Sequence, residues 1–143
     1  MDIREMRIGD YEEIVLLWEK TDGIQLRDAD SKEGILKYLN RNPGLNFVAL
    51  SDGVIIGTIM AGHDGKRGYI QHLSVSELQR NKGIGTALVE TCLAALKMQG
   101  IEKSHIHILS NNDAAKQFWV NRGWFARPDI QTYSYINGAN KNT

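Results

Sequence analysis

The chain has 143 residues, 42% apolar and 24% charged, which is the composition of one ordinary globular domain. Seventeen basic residues balance 17 acidic residues, and a formal net charge of zero excludes the general attraction of a nucleic-acid or anionic-membrane binder. One cysteine excludes an internal disulfide bond, and no apolar run reaches the roughly 18 residues that a membrane helix needs. We therefore expect a cytoplasmic protein without a secretory signal.

The first part of the chain predicts one strand and two helices. Residues 2–8 alternate weakly in hydrophobicity, which indicates the strand. Asp10 is suited to cap a helix that ends at Asp22-Gly23, and Asp30 is suited to cap a second helix that ends at Asn42-Pro43-Gly44. Apolar residues recur at helical spacing in both segments, so we expect each helix to bury one face.

Apolar segments joined by glycine turns follow. Residues 47–50 and 54–61 flank Ser51-Asp52-Gly53, which is a strong hairpin signal. A second glycine-rich turn, residues 62–68, leads into residues 69–75. The pattern predicts three successive antiparallel strands.

The second half of the chain alternates between helix and strand. A helix is predicted over residues 86–99 and an apolar strand over residues 104–109. Asn112 or Asp113 is suited to cap a further helix, which Gly123 ends.

The end of the chain carries weaker signals. Residues 124–126 and 132–136 predict a last pair of strands, and residues 138–143 predict a frayed polar tail. We therefore expect one α/β domain over residues 1–137, with a mixed, mainly antiparallel sheet of six or seven strands and about four helices.

The most informative stretch, residues 73–86, passes from a strand through a basic glycine loop into the start of a helix. The first backbone N–H groups of a helix lack intrahelical partners and carry partial positive charge, so they favour an anion such as phosphate. Gly83 and Gly85 would let a ligand approach the backbone, and Arg80 and Lys82 add positive charge.

Two common phosphate loops do not fit this stretch. A Walker loop needs Gly-Lys followed by Ser or Thr, where this chain has Ile84-Gly85-Thr86. A dinucleotide-binding fingerprint needs a third glycine at position 88, which is Leu. The alternative structural interpretation is that Gly83 and Gly85 only shape a turn.

A second motif, Asn-x-x-Ala-x-x-Phe-Trp-x-x-x-Gly-Trp, spans residues 112–124. Together with Arg80-x-x-Gly83-x-Gly85 it resembles the GCN5-related N-acetyltransferase (GNAT) superfamily, and the predicted order of elements also matches. The resemblance covers nearly the whole chain. The turn at residues 62–68 and Leu17-Trp18-Glu19 are similar to a small bacterial subgroup, the YpeA-like acetyltransferases.

The resemblance implies an enzyme that transfers an acetyl group from acetyl-CoA to a primary amine by direct attack in a ternary complex. The pyrophosphate would lie on the loop, the pantetheine arm would pair with the strand before it, and Asn112 would face that arm. A backbone N–H near Leu73 or Val75 would polarise the acetyl carbonyl. The implied cofactor-binding residues are Leu73, Ser74, Val75, Arg80, Asn81, Lys82, Gly83, Ile84, Gly85, Thr86 and Asn112.

The same resemblance implies a small-molecule or peptide amine as acceptor. The zero net charge and the lack of a long apolar run argue against a nucleic acid or a membrane as partner, and the lack of Cys or acidic residues near the His105–His107 pair argues against a metal. Members of the superfamily often form homodimers, so a homodimer is one expected assembly.

The chain departs from the family pattern at Trp119. Most members have a tyrosine there, which protonates the departing thiolate, whereas an indole N–H donates hydrogen bonds but is not a practical acid. A thiol has a pKa near 8.5, so unassisted departure is not prohibitive. Water and Tyr133 remain alternative acids.

His72, directly before Leu73, is the first candidate for the base, because its ordinary pKa suits proton acceptance. The alternatives are that His72 has a structural role in the strand, or that Glu77 is the base. Asp28 and Asp30 lie where the family builds its acceptor pocket, and helix capping is an equally simple explanation for Asp30.

Two further functions remain as alternatives. The departure at Trp119 makes a non-catalytic acyl-CoA-binding domain the main one, and a nucleotide-phosphate binder is the other. Release of free CoA with a panel of amines would distinguish the enzyme from the binding domain, and protection by ATP rather than by CoA would indicate the nucleotide-phosphate binder. His105 and His107 share a strand face and are interpreted as a surface pair, and Cys92 as a core residue.

Overall fold

Five strands form one mixed sheet in the computed structural model, which describes residues 1–143. They are β1 (Asp2–Glu5), β2 (Phe47–Ser51), β3 (Val54–His63), β4 (Gly68–Val75) and β5 (Ser104–Ile106). Their spatial order follows the chain, and the first four pair antiparallel, whereas β5 pairs parallel with β4. The meander predicted from the glycine turns is confirmed.

Four helices accompany the sheet, as expected: α1 (Tyr11–Glu19), α2 (Lys32–Arg41), α3 (Ile84–Met98) and α4 (Asp113–Val120). Single 3-10 turns lie at Ile8–Asp10, Asp28–Asp30 and Glu77–Gln79. None of the helices is both long and apolar enough to span a bilayer.

Two apolar clusters lie on the two faces of the sheet. Along β3, Ile59 and Ala61 join the cluster of α3 and Trp119, whereas Met60 joins the cluster of α1 and α2 around Trp18. Successive side chains of a strand point to opposite faces, so β3 is buried on both sides. This arrangement fixes the central strand, against which β4 pairs.

The side chains of Asp10 and Asp30 do not cap helices as the sequence predicts. Asp10 stands at the N-cap of α1, but its side chain accepts no N–H of that helix. Ser31, not Asp30, caps α2, and its hydroxyl accepts the Gly34 N–H at 3.1 Å. Asp30 instead accepts the N–H of Arg27 at 3.0 Å. The second carboxylate oxygen of Asp30 is therefore available to another part of the fold.

The predicted sheet of six or seven strands is wrong, because the last strand pair does not form. Residues 124–126 and 132–136 belong to no strand, and β5 is shorter than the predicted 104–109. Tyr133 and Tyr135 are 88% and 90% exposed, so this segment buries no apolar face that would hold it in a sheet. Alternating hydrophobicity along a segment does not supply the neighbouring strand that it needs for pairing.

The final residues lie against the first half of the chain. Asn140 and Asn142 each donate a side-chain hydrogen bond to the carboxylate of Asp28, and the Asp28 N–H donates to the carbonyl of Asn142.

Candidate active site

One edge of β4 lacks a strand partner over part of its length. β5 pairs only with Gly68–Ile70, so residues 71–75 face no strand on that side. The Ser76 N–H donates to Ile56 of β3 at 2.8 Å, and strand alternation then directs the N–H groups of Val75 and Leu73 away from β3. The open edge therefore offers backbone groups to an extended ligand.

The loop after β4 leads directly into an uncapped helix terminus. Asn81 and Gly83 have left-handed φ values of 62° and 81°, and Gly83 stands at the N-cap of α3 without a side-chain cap. The first helical bond runs from Ala87 to Gly83, so the N–H groups of residues 84–86 have no intrahelical partner. The structure thus provides the donors that an anion site requires.

Three cations surround this terminus. Arg80 donates through Nε to the Val75 carbonyl at 3.1 Å, and Lys82 is exposed and contacts Gln79. Arg122, which the sequence analysis missed, donates through Nε to the Thr86 hydroxyl at 2.8 Å. Arg122 lies within the motif of residues 112–124, at a position that the motif leaves open, and no sequence signal connects it to α3.

The two glycines of the loop have different roles. A Cβ at position 83 would meet no atom within 4 Å, so glycine is favoured there by the positive φ and not by a lack of space. A Cβ at Gly85 would lie 3.3 Å from the ring of Phe118. Gly85 therefore makes room for helix α4, and the guanidinium of Arg122 lies 3.6 Å from the centre of the same ring.

Trp119 belongs mainly to the core. It is 4% exposed, and its ring centre lies 4.7 Å from Trp124 and 5.2 Å from Phe118. Its indole N–H has no partner within the chain and is not closed off from solvent. A hydrogen bond to a ligand atom is therefore within its chemistry, whereas proton donation is not.

The other predicted cofactor residues are placed as follows. Asn112 caps α4 by accepting the Ala115 N–H at 3.1 Å, and its amide lies against Gly23. Ser74 is buried, and its hydroxyl lies 2.6 Å from that of Thr21. Ile84 is buried in the core, whereas Leu73 and Val75 pack against the core from the open edge.

His72 lies in a β-bulge. Thr58 is opposite Ser74 and Met60 is opposite Gln71, so β4 has one residue more than β3 at this point. His72 has a φ of 51°, a left-handed value that is uncommon outside glycine. Its carbonyl accepts the Thr58 hydroxyl at 2.8 Å, which holds the strained backbone in place.

The bulge directs the His72 side chain towards the 3-10 turn before α2. Its Nε2 lies 2.7 Å from Oδ1 of Asp30, and the two side chains are 12% and 14% exposed. The His72 ring lies 4.6 Å from that of Trp18, whose N–H donates to Thr58 at 2.9 Å. Because Nε2 is engaged, Nδ1 is the ring nitrogen left for a proton from a ligand.

Electrostatics keeps Asp30 ionised. Burial raises the pKa of Asp30, but the hydrogen bonds from His72 and from the Arg27 N–H, together with the His72 charge, outweigh it and hold the pKa below its ordinary value. A carboxylate in this state orients an imidazole and stabilises its protonated form.

The remaining candidates lie apart from this pair. Glu77 is exposed in the loop, Tyr133 is exposed near the end of the chain, and Asp28 is bound by Asn140 and Asn142. Hydrogen bonds from those two asparagines hold the pKa of Asp28 below its ordinary value, and the bond from Asn140 has the larger effect.

Neither Cys92 nor the strand histidines form a second site. Cys92 is fully buried, and burial raises the pKa of its thiol to about 12. His105 packs near Tyr69, and no group of three metal-binding side chains occurs in the chain.

The chain is similar to known proteins in sequence and in fold. The acetyltransferase (GNAT) family model matches residues 8–124. An acetyltransferase of Pectobacterium atrosepticum is 36% identical over 80% of each chain, and one of Yersinia pseudotuberculosis is 36% identical over 95% of this chain and 92% of its own. The PaiA N-acetyltransferase of Thermoplasma acidophilum, solved with coenzyme A, has a TM-score of 0.75 at 22% identity and covers 85% of this chain and 87% of its own.

These comparisons all indicate the same family: the fold is similar to that of PaiA, the family model matches most of the chain, and both relatives are acetyltransferases. The open edge of β4 and the uncapped start of α3 fit acetyl-CoA as the acetyl donor. The chain belongs to the GNAT family and is an acetyl-CoA-dependent acetyltransferase.

Proposed function

We propose that this enzyme transfers the acetyl group directly to a primary amine of a small molecule or peptide, within a ternary complex and with His72 as the general base. The observation that carries this proposal is the position of His72. Asp30 holds one of its ring nitrogens, and the bulge places it next to the open edge of β4.

The phosphate end of acetyl-CoA would lie on the start of α3. The unpaired N–H groups of residues 84–86 would accept its pyrophosphate, with Arg80, Lys82 and Arg122 as neighbouring cations. The pantetheine arm would run along residues 73–75, where the backbone has no strand partner. Arg80 would then exchange its bond to the Val75 carbonyl for a phosphate oxygen.

Each step of the proposed reaction can be assigned to a group of the chain or to water. A lysine-like amine has a pKa of about 10.4, so it arrives mostly protonated, and Nδ1 of His72 would take its proton. The N–H of Leu73 or Val75 would stabilise the negative charge that develops on the thioester oxygen. As the C–S bond breaks, the Trp119 N–H would donate a hydrogen bond to the departing sulfur, and the second proton lost by the attacking nitrogen would reach the thiolate through water.

Cys92 supports direct transfer over a covalent acetyl-enzyme. It is the one thiol of the chain, is fully buried, and has a pKa raised to about 12 by burial. A thiolate nucleophile is therefore not available near neutral pH. The same single, buried cysteine is compatible with the reducing cytoplasm that we propose as the location.

The alternative is a non-catalytic acyl-CoA-binding domain, which the buried Trp119 at the usual acid position favours. The test incubates the protein with acetyl-CoA and a panel of primary amines and measures free CoA thiol and the acetylated amine. Direct transfer predicts both products and initial-rate lines that intersect in a two-substrate plot. Binding of acetyl-CoA without either product would support the alternative, and parallel lines would contradict the ternary complex.

A further inference from the structure

A cavity of about 420 Å³ is lined at one end by Asp30, the hydrogen-bond partner of the proposed base. Its lining includes the facing pair Met60 and Gln71 of β3 and β4, one side of α2, and Asp30. Thr143 also contributes to the lining. Because Asp30 bonds to His72, the Asp30 end of this cavity is the end nearest to the proposed proton transfer.

Two cations line the same cavity without an acidic partner. Lys37 and Arg41 stand four residues apart on α2 and therefore on one face of that helix. Neither takes part in any of the five ion pairs of the chain, whereas the neighbouring Lys32 pairs with Glu12 at 2.8 Å. The cavity is thus negative at Asp30 and positive along α2.

The distance between the two ends limits what can bridge them. The lining residues of α2 extend from Gly34, near Asp30, to Arg41, and seven residues of helix span about 10 Å. Lysine and arginine side chains reach several ångströms from the backbone, which shortens the gap that a ligand must span. A molecule that fills it would carry an amine at one end and an anionic group some six to ten ångströms away.

We propose that the acceptor is an amine that carries a carboxylate, with a chain of about five carbon atoms between the two groups. The amine would lie at His72 and Asp30, and the carboxylate at Lys37 and Arg41. This inference rests on the proposed acetyl transfer for its chemistry, and it makes Lys37 and Arg41 specificity-determining residues. Guanidinium and ammonium groups are the usual partners of a carboxylate in proteins.

The experiment compares 6-aminohexanoate with hexylamine, which differ essentially in the carboxylate. With saturating acetyl-CoA, the wild type is expected to show a kcat/KM about tenfold higher for 6-aminohexanoate, mostly through KM, because charge-assisted hydrogen bonds add to binding. In Lys37→Gln and Arg41→Gln the ratio should fall several-fold, and in the double variant it should approach one. Lys97→Gln, which removes an exposed cation of α3, should keep the wild-type ratio.

Calorimetric titration of the CoA-loaded protein with both amines separates this proposal from the proposed function. Binding of 6-aminohexanoate that the double variant loses supports the carboxylate site, even if no amine is acetylated. Equal binding or equal kcat/KM of the two amines overturns the inference, and so does an absence of 6-aminohexanoate binding. Acetylation of hexylamine with equal efficiency would leave the proposed function intact while overturning the inference.

Discussion

The Nε2 atom of His72 lies 2.7 Å from Oδ1 of Asp30, although the residues are 42 positions apart in the chain. Asp30 also accepts the Arg27 N–H, so its carboxylate is held from two directions before any substrate binds. His72 in turn is held by its backbone bond to Thr58. The pair is therefore organised in advance, and its two members are expected to act as a unit.

Replacing His72 by glutamine tests the base. We expect kcat to fall about 10²- to 10⁴-fold near neutral pH, which is the usual cost of losing a general base. The loss should shrink as the pH approaches the amine's own pKa of about 10.4, where the substrate is already neutral. A pH–rate series with any accepted amine measures this.

A second variant separates chemistry from backbone strain. Asparagine tolerates the left-handed φ of 51° better than glutamine, so His72→Asn should fold at least as well as His72→Gln and lose as much activity. Superimposable pH profiles of wild type and variants would return His72 to a structural role.

Replacing Asp30 by asparagine tests the positioning of His72. The change keeps the size of the side chain and removes its charge, so kcat should fall about 10- to 100-fold, the equivalent of one charge-assisted hydrogen bond. The KM for acetyl-CoA should stay constant, so the loss should appear in kcat alone. A kcat at the wild-type level would contradict a positioning role for Asp30.

The phosphate site is tested at Gly83 rather than Gly85. Asp at position 83 meets no neighbouring atom and places a carboxylate at the α3 terminus, so we expect CoA affinity to fall about tenfold or more. Gly83→Asn has the same shape without the charge and should lose clearly less. Fluorescence or calorimetric titration of the two folded variants gives the comparison, and equal affinities would contradict an anion site. Gly85→Asp is unsuitable because its Cβ presses on Phe118.

Two variants of Trp119 distinguish its role in packing from its role in the reaction. Trp119→Ala removes a nearly buried ring from the larger apolar cluster, so thermal or urea unfolding should show a loss of about 3–5 kcal/mol, with weaker CoA binding. Trp119→Tyr should keep or raise kcat, because a phenol can protonate the thiolate. A folded Trp119→Tyr protein without activity would give the indole a role of its own.

The ion pair at the start of α1 predicts part of the acid sensitivity of the fold. Arg4 contacts both carboxylate oxygens of Asp10 at 2.9 Å. Burial raises the pKa of Asp10, but the hydrogen bonds from Arg4 and the Arg7 N–H outweigh it and lower the pKa below 3.8. The ionised form is thus favoured by folding, so its contribution is present above that pH and is lost as the pH falls through the lower folded pKa.

Asp10→Asn should therefore lower the free energy of unfolding by about 1–2 kcal/mol at pH 7 and by less at pH 3, measured by urea denaturation. Asp129→Asn, which removes an exposed pair with Arg127, is the control and should leave the free energy of unfolding nearly unchanged at both pH values. An Asp10→Asn effect that is equal at both pH values would contradict the assignment.

Sequence patterns predicted the elements that depend on local chemistry. The glycine turns fixed the meander, and the basic loop before Ile84 predicted the uncapped helix terminus. The alternating hydrophobicity of residues 132–136 predicted a strand that does not form, because local hydrophobicity does not reveal whether a neighbouring strand is available for pairing. Tyr133 and Tyr135 are exposed instead.

The long-range contacts of the site could not be predicted in the same way. The pair of His72 and Asp30 depends on one extra residue in β4, which is visible only in the register with β3. The bond from Arg122 to Thr86 joins two helices that pack through Gly85 and Phe118. Both contacts arise from tertiary packing, which a single sequence does not encode in any local pattern.

The three residue pairs that join β5 to β4 have a consequence for the folding of this enzyme. β2, β3 and β4 are joined by short turns, whereas β1 pairs with β2 across α1 and α2, and β5 pairs with β4 only after α3 has crossed over. The groove proposed for acetyl-CoA thus lies beside a strand that is held by three residue pairs, so amide hydrogens of β5 should exchange early. In the proposed binding mode acetyl-CoA lies against this edge, so we expect the bound cofactor to slow that exchange and to raise the free energy of unfolding.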